Sequence, residues 1–556
     1  MSLTRRHFLA LGGSALAASA CGRVREASVD LERWYGRPTH PPLDDPLTAP
    51  ASGEIDAVSH VLNRLTFGAR PGAYARVAAL GPAAFIEEQL APERIDDFLC
   101  ERAIRHQFES LEDPESHLFP RSADTKDPLQ LIFPTLRDHA ARVGDLYEYK
   151  DKVLLNQLTS ATILRATLTH RQLYEVMVQF WSDHLNIDPS KGECKWLKTA
   201  DDRDVIRAHA LGNFRDLIRA SAVSPAMLWY LDGRANRRKD ATEKPNENYA
   251  RELMELHTLG VHGGYTQRDV MEVARCLTGW TVREKKKLFK GRVEFKAYLH
   301  DDGSKQVLGQ DIPAGLGARD LDRVLEIVTT HPSTANYIAW KLCRRFIHDD
   351  PPAAAVATTA KAFTDSRGDI RTTLRALFAT AEFHAPEMRG AKFKRPFHFI
   401  VSALRATNAQ TDASQQLVEY LQRLGHAPFR YPTPDGYPEE ATHWQSTLLW
   451  RWNFAAALSE HRIKGTRLDY DELIRRVGGD AAMLAIMLGR QASTIEAECL
   501  AAYLEDRRKT ADDDEQLRAI YHLHPKQKPA PAQRAAFRDR AAGLAVVLAS
   551  PAFQRC

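Results

Sequence analysis

Two carboxylates and an amide share one face of the segment Asn246–Gly260. At 100° per residue, Asn248, Glu252 and Glu255 fall within about 60° of one another. Tyr249, Leu253 and Leu256 form the adjacent apolar face, and Arg251 borders the polar stripe. Such a stripe can offer oxygen ligands to a hard cation or supply a general acid/base pair. The plainer alternative is that the acids are solvated or paired with Arg251, as most helical charge clusters are. His257 points away from the pair. Three more candidates lie elsewhere. His300 and Asp301 stand on a turn, in Tyr298-Leu299-His300-Asp301-Asp302-Gly303, although Asp-Asp-Gly is also ordinary turn chemistry. His184 ends an apolar stripe made by Leu173, Met177 and Phe180, with Asp183 and Asn186 beside it. A histidine there is more often a satisfied core residue than a ligand. Trp444, Trp450 and Trp452 with Arg451 offer a sugar-stacking surface or simply a packed amphipathic helix. The usual signatures are missing: no HExxH, GxSxG, GxxxxGK[ST] or GxGxxG occurs.

The elements that must position these groups are helical. Periods of 3.6 predict helices near 152–168, 203–221, 246–259, 267–277, 319–330, 334–347, 353–364, 369–380, 396–407, 414–424, 446–459, 481–488, 494–506 and 531–549. Thr266 with Asp269 reads as a capping box, and Gly260 as a C-terminal cap. Only residues 280–299 alternate with a period of two, which predicts a small hairpin. The expected fold class is therefore all-α, a mostly helical single large domain over 54–556 with one small β excursion.

Composition narrows the setting. The chain has 556 residues, 44% hydrophobic and 27% charged, which excludes global disorder. Lys and Arg number 76 against 72 Asp and Glu, a balance that excludes a dedicated nucleic-acid binder. Seven cysteines with no CxxC pair fit neither a zinc ribbon nor a thioredoxin-like site. Thr4-Arg5-Arg6-His7-Phe8-Leu9 and the short apolar run up to Ala18-Ser19-Ala20 predict a twin-arginine signal peptide over 1–20. The run is too short to anchor in a bilayer, which takes about 20 apolar residues. At Cys21 two readings stay open, a free N-terminal cysteine or lipidation that ties the protein to the membrane. Residues 21–53, rich in proline from Arg33 onward, are expected to be a tether. Removing 1–20 takes two arginines and no acid from the net charge of +4, leaving +2.

The run from Asn248 to Val261, then Gly264-Tyr265-Thr266-Gln267-Arg268-Asp269-Val270 and Leu277-Thr278-Gly279-Trp280, resembles the signature of the domain-of-unknown-function family 1800. His60–Gly68, Phe180–Asn186, His300-Asp301 with Lys305, Leu308 and Gly309, and Lys394-Arg395-Pro396-Phe397 resemble its other blocks. The resemblance implies an exported, largely helical bacterial protein with no established reaction, often encoded beside another exported protein. It lends no catalytic residues, but it places His184, Glu252, Glu255, His300 and Asp301 inside recurring blocks. Two functions follow as expectations. One is a metal-dependent hydrolase of an envelope or extracellular polymer, with those five residues as ligands to a divalent metal and Glu252 and Glu255 as its acid/base pair. The other is a non-catalytic, lipid-tethered scaffold or partner of a co-exported protein.

Overall fold

The computed structural model describes residue 43 and residues 46–112, 150–240, 242–283, 291–507 and 531–556. The expected signal peptide and Cys21 lie outside the described residues. The last part of the expected tether lies against the body: Leu47 and Pro50 are buried. Gln491 donates to the Ser52 carbonyl through its backbone N–H at 2.7 Å and to the Pro50 carbonyl through Nε2 at 2.5 Å.

The fold is mostly α with small β-hairpins. Chain order runs through α1 (Ala57–Leu65), α2 (Lys150–Leu168), α3 (Gln172–His184) and α4 (Cys194–Asp201). A π-turn over Asp202–Arg207 extends α4. Next come the short α5 (Asn248–Glu252), a second π-turn over Leu253–Thr258, and α6 (Gln267–Cys276). The expected capping box of Thr266 and Asp269 opens α6. β1 (Trp280–Val282) pairs antiparallel with β2 (Val293–Phe295), Thr281 opposite Glu294, which forms the expected hairpin. β3 (Lys305–Val307) pairs with β4 (Gln310–Ile312). Then follow α7 (Arg319–Thr330), α8 (Pro332–Phe346), α9 (Pro396–Ala406), α10 (Leu448–Ser459) and α11 (Pro531–Ala549). Further helices fill the intervals, and another two-stranded pair joins Gln410–Thr411 to Thr466–Arg467.

Two expectations need correction. The single helix over 203–221 is divided: Gly212 breaks it, and Asn213 caps a new helix, its side chain accepting from Arg215 N at 2.9 Å. A strong local N-cap wins over continuous apolar periodicity. The second hairpin was not expected. Its two-residue turn, Leu308-Gly309, holds both residues at positive φ (50° and 74°). Leu in that conformation disguises a turn that Asn-Gly would have announced.

One contiguous apolar core runs from Leu47 to Phe553. α9 lies at its centre, with every residue from Pro396 to Ala406 buried. Pro396 at N1 suits the helix start, since its missing N–H would be orphaned there anyway. α3 is almost as deeply buried and ends at His184, which brings that end of the helix up to α8 and the second π-turn.

Candidate functional site

The second π-turn is built from the stripe-bearing segment. Leu259 N–H bonds back to the Met254 carbonyl at 2.8 Å, and Thr258 Oγ1 donates to the Leu253 carbonyl at 2.7 Å, both spanning five residues. Such wide turns recur at functional sites. The turn also leaves the His257 carbonyl among the last, unpaired acceptors of the helix. His184 Nε2 meets that carbonyl at 3.0 Å, and His184 Nδ1 faces Lys341 Nζ on α8 at 2.9 Å. A carbonyl can only accept, so Nε2 carries the proton and Nδ1 accepts from Lys341. Burial, then the neighbouring Lys341 charge, hold the His184 imidazole well below its ordinary range, so it is neutral. Burial also lowers the Lys341 ammonium to about 8, against the attraction of Asp183, Glu439 and Asp435. The result is an amine poised near neutrality at the end of a fixed chain, Lys341–His184–His257 C=O.

Glu252 and Glu255, carried on α5 and the second π-turn, are both half-buried. Arg251 bonds neither of them, reaching Glu247 at 3.1 Å and Gln267 at 2.8 Å instead, although its charge still pulls the Glu252 carboxyl down. Among the described residues, no cation forms an ion pair with either acid. Burial and the Glu255 charge raise the Glu252 carboxyl, with Asp435 adding to the push. Tyr265 Oη donates to Glu255 Oε2 at 3.4 Å. Burial and Glu255 lift the Tyr265 phenol to about 12, while burial and Asp435 lift Tyr337 to about 12. Asp435 also acts on Tyr230 and Lys341, so it is the shared neighbour of the array. Asp435 is presented by the loop 431–437. Asn186 Nδ2 donates to the Tyr431 and Thr433 carbonyls of that loop at 2.9 and 2.7 Å.

The other expected ligands lie elsewhere. Asp301 accepts a forked pair from Arg275, 2.8 Å from Nε and 3.2 Å from Nη2, and a further bond from Arg238. Burial alone would raise its carboxyl, but the bonds from Arg275, the Gly303 N–H and Arg238 outweigh this and hold it far below the usual range. His300 Nδ1 sits 2.9 Å from the Thr278 carbonyl and its Nε2 lies 3.2 Å from Asp320, which also pairs with buried Lys305. This cluster locks both hairpins to α6 and α7. His184, His300 and Asp301 therefore do not meet around one point with the glutamates. Among the described residues, no group of three or more His, Cys, Asp or Glu is arranged to hold a metal ion.

Lys341 and Asp435 were missed from sequence. Lys341 did leave a trace, bordering the buried stripe of α8 three residues after Ile338. Asp435 left none. The tryptophans do not form one surface. Trp444 is buried, Trp450 stacks under Arg423, and Trp452 is exposed.

A family model described as "Protein of unknown function (DUF1800)" matches residues 60–555. The chain belongs to the DUF1800 family. No curated protein and no solved structure matches it. The segments that resemble DUF1800 blocks are bonded to one another. Asp183 pairs with Arg395 at 2.8 Å, and His184 reaches the signature segment through the His257 carbonyl. Arg405, on the helix that Lys394-Arg395-Pro396 opens, donates to the Gly68 carbonyl at 2.7 Å. Much of what marks this DUF1800 chain is thus a buried polar frame, and the glutamate stripe is a part that no cation bonds among the described residues.

Proposed function

We propose that the chain is an exported hydrolase of an envelope or extracellular polymer that works by general acid–base chemistry at Glu252 and Glu255. The observation that carries this reading is the half-buried glutamate pair that no cation among the described residues bonds, with Asp435 acting on both Glu252 and Lys341. Pairs of titratable groups with divergent environments are how one site supplies both an acid and a base. Glu252, whose carboxyl is raised by burial and by the Glu255 charge, donates to the leaving oxygen. Glu255, oriented by Tyr265, takes the proton of the attacking water. Lys341 provides positive charge close to neutral pH without bonding either glutamate directly. The twin-arginine pattern and Cys21 support an envelope location.

The test is release of soluble fragments from a panel of purified envelope glycans and peptides. Wild-type protein is expected to cleave at least one of them. Glu252→Gln is expected to lose about 100-fold or more of that rate, the usual worth of a positioned acid, with its melting temperature unchanged. Absence of cleavage by folded wild type across the panel would count against catalysis. The scaffold reading has one observation in its favour, the exposed Leu449 and Trp452 on α10. It predicts instead a specific partner recovered from envelope extracts.

A further inference from the structure

A second polar site lies beside the first π-turn, Asp202–Arg207. A cavity of about 320 Å³ opens there, lined by Arg165 on α2, Tyr174 on α3, and Asp202, Arg203 and Arg207 on the turn. That volume is at the small end of ligand pockets, which run about 300–1,000 Å³.

Most charged groups of the wall are satisfied. Arg207 grips Glu175 with both terminal nitrogens, Nη1 lying 3.0 Å from Oε2. Tyr174 Oη donates to the Arg207 carbonyl at 2.6 Å. Arg203 bonds Asp204 at 2.7 Å and the Leu111 carbonyl at 2.9 Å. The neighbouring acid Asp201 takes Lys198 at 2.8 Å and Ser224 at 2.7 Å. Two atoms stand apart. Asp202 Oδ1 and Arg165 Nη1 are buried and have no hydrogen-bond partner among the described residues, although Asp202 is only 2% exposed. Burial raises the Asp202 carboxyl against the pull of Arg207 and Arg165, as expected of an acid that lacks a bonded counter-charge.

An orphaned acceptor and an orphaned donor of opposite charge on one cavity wall call for a ligand that carries both complements. A simple anion would meet Asp202 and Glu112 on the lining, and a simple cation would meet three arginines. We propose that this pocket binds a small zwitterion of the α-amino-acid type, its carboxylate on Arg165 and its ammonium on Asp202.

Thermal unfolding of the full chain at pH 7 with each of the twenty α-amino acids tests this, with sodium acetate and methylammonium chloride as single-charge probes. At least one amino acid is expected to raise the melting temperature saturably, by about 2 °C or more, while neither probe does. Calorimetric titration of that amino acid should show about a tenfold or greater loss of affinity in Asp202→Asn and in Arg165→Gln. A flat response of wild type to all twenty overturns the assignment without recourse to any variant. So does an equal shift with acetate, or an affinity that Asp202→Asn leaves intact.

Discussion

At the residue scale, the molecule stands on buried polar groups that must hold one protonation state. Burial lowers His60 and His257 from 6.5 to about 3, and His184, His398 and His426 are likewise held well below 6.5. All five are buried. A depressed folded value means that the unfolded chain takes up protons first as pH falls. Their contribution is therefore complete above pH 6.5 and is lost progressively toward pH 3. Between pH 6.5 and 5 each deeply buried histidine withdraws about 2 kcal/mol, by linkage. The urea midpoint should thus fall steeply from pH 7 to pH 5, and His257→Gln should flatten part of that slope. A midpoint independent of pH over this range would mean that these rings stay solvated.

At the element scale, position is set by the turns that present Asp435 and the glutamates. Gly436 has φ +74°, and a Cβ there would stand 2.0 Å from the Asp183 carbonyl oxygen at the end of α3. That neighbour is backbone and cannot step aside. Gly436→Ala should cost about 3 kcal/mol by strain and overpacking, and it should displace the loop that carries Asp435. Gly425 has nearly the same φ, +73°, but open space around it. Gly425→Ala should cost only about 1 kcal/mol, the left-handed penalty alone. Equal melting temperatures for the two variants would refute this account of the loop.

The elements themselves were largely legible in the sequence. Helix 531–549 was expected with the bounds the structure shows, and the hairpin of Trp280 with Phe295 came from plain alternation. The π-turns were not legible, because a 3.6 period and a local five-residue turn leave nearly the same apolar stripe. Nor was the ligand set: His300 and Asp301 have metal-ligand chemistry in sequence, yet in space they serve Arg275, Thr278 and Asp320. Sequence shows which groups can bind. Only folding shows which are already bound.

At the scale of the whole molecule, a buried ionic network ties the centre together. Arg395 spans Asp183 at 2.8 Å and Glu439 at 3.4 Å, and Arg345 reaches Glu439 from the other side at 3.5 Å. Burial alone would raise Glu439, but Arg395, Arg345 and Lys392 hold it at about 2. Removing one partner strands the rest, so Arg395→Met should destabilise the protein by about 3 kcal/mol in chemical unfolding. A neutral or stabilising outcome would show that the network is dispensable. The network lies next to the proposed site, since Asp183 and Glu439 also act on Lys341, and it helps set the amine that the mechanism uses.

The most direct test of the acid–base site is therefore the titration of Lys341 itself, followed as the pH dependence of lysine Cε resonances in selectively labelled protein. Burial lowers Lys394 to about 8 as well, so the decisive resonance is the one absent from Lys341→Arg: it should titrate near pH 8 while the exposed lysines titrate near their ordinary value of about 10.4. If the resonance lost in Lys341→Arg titrates near the ordinary value, Lys341 is a solvated surface charge and the proposed site loses its foundation.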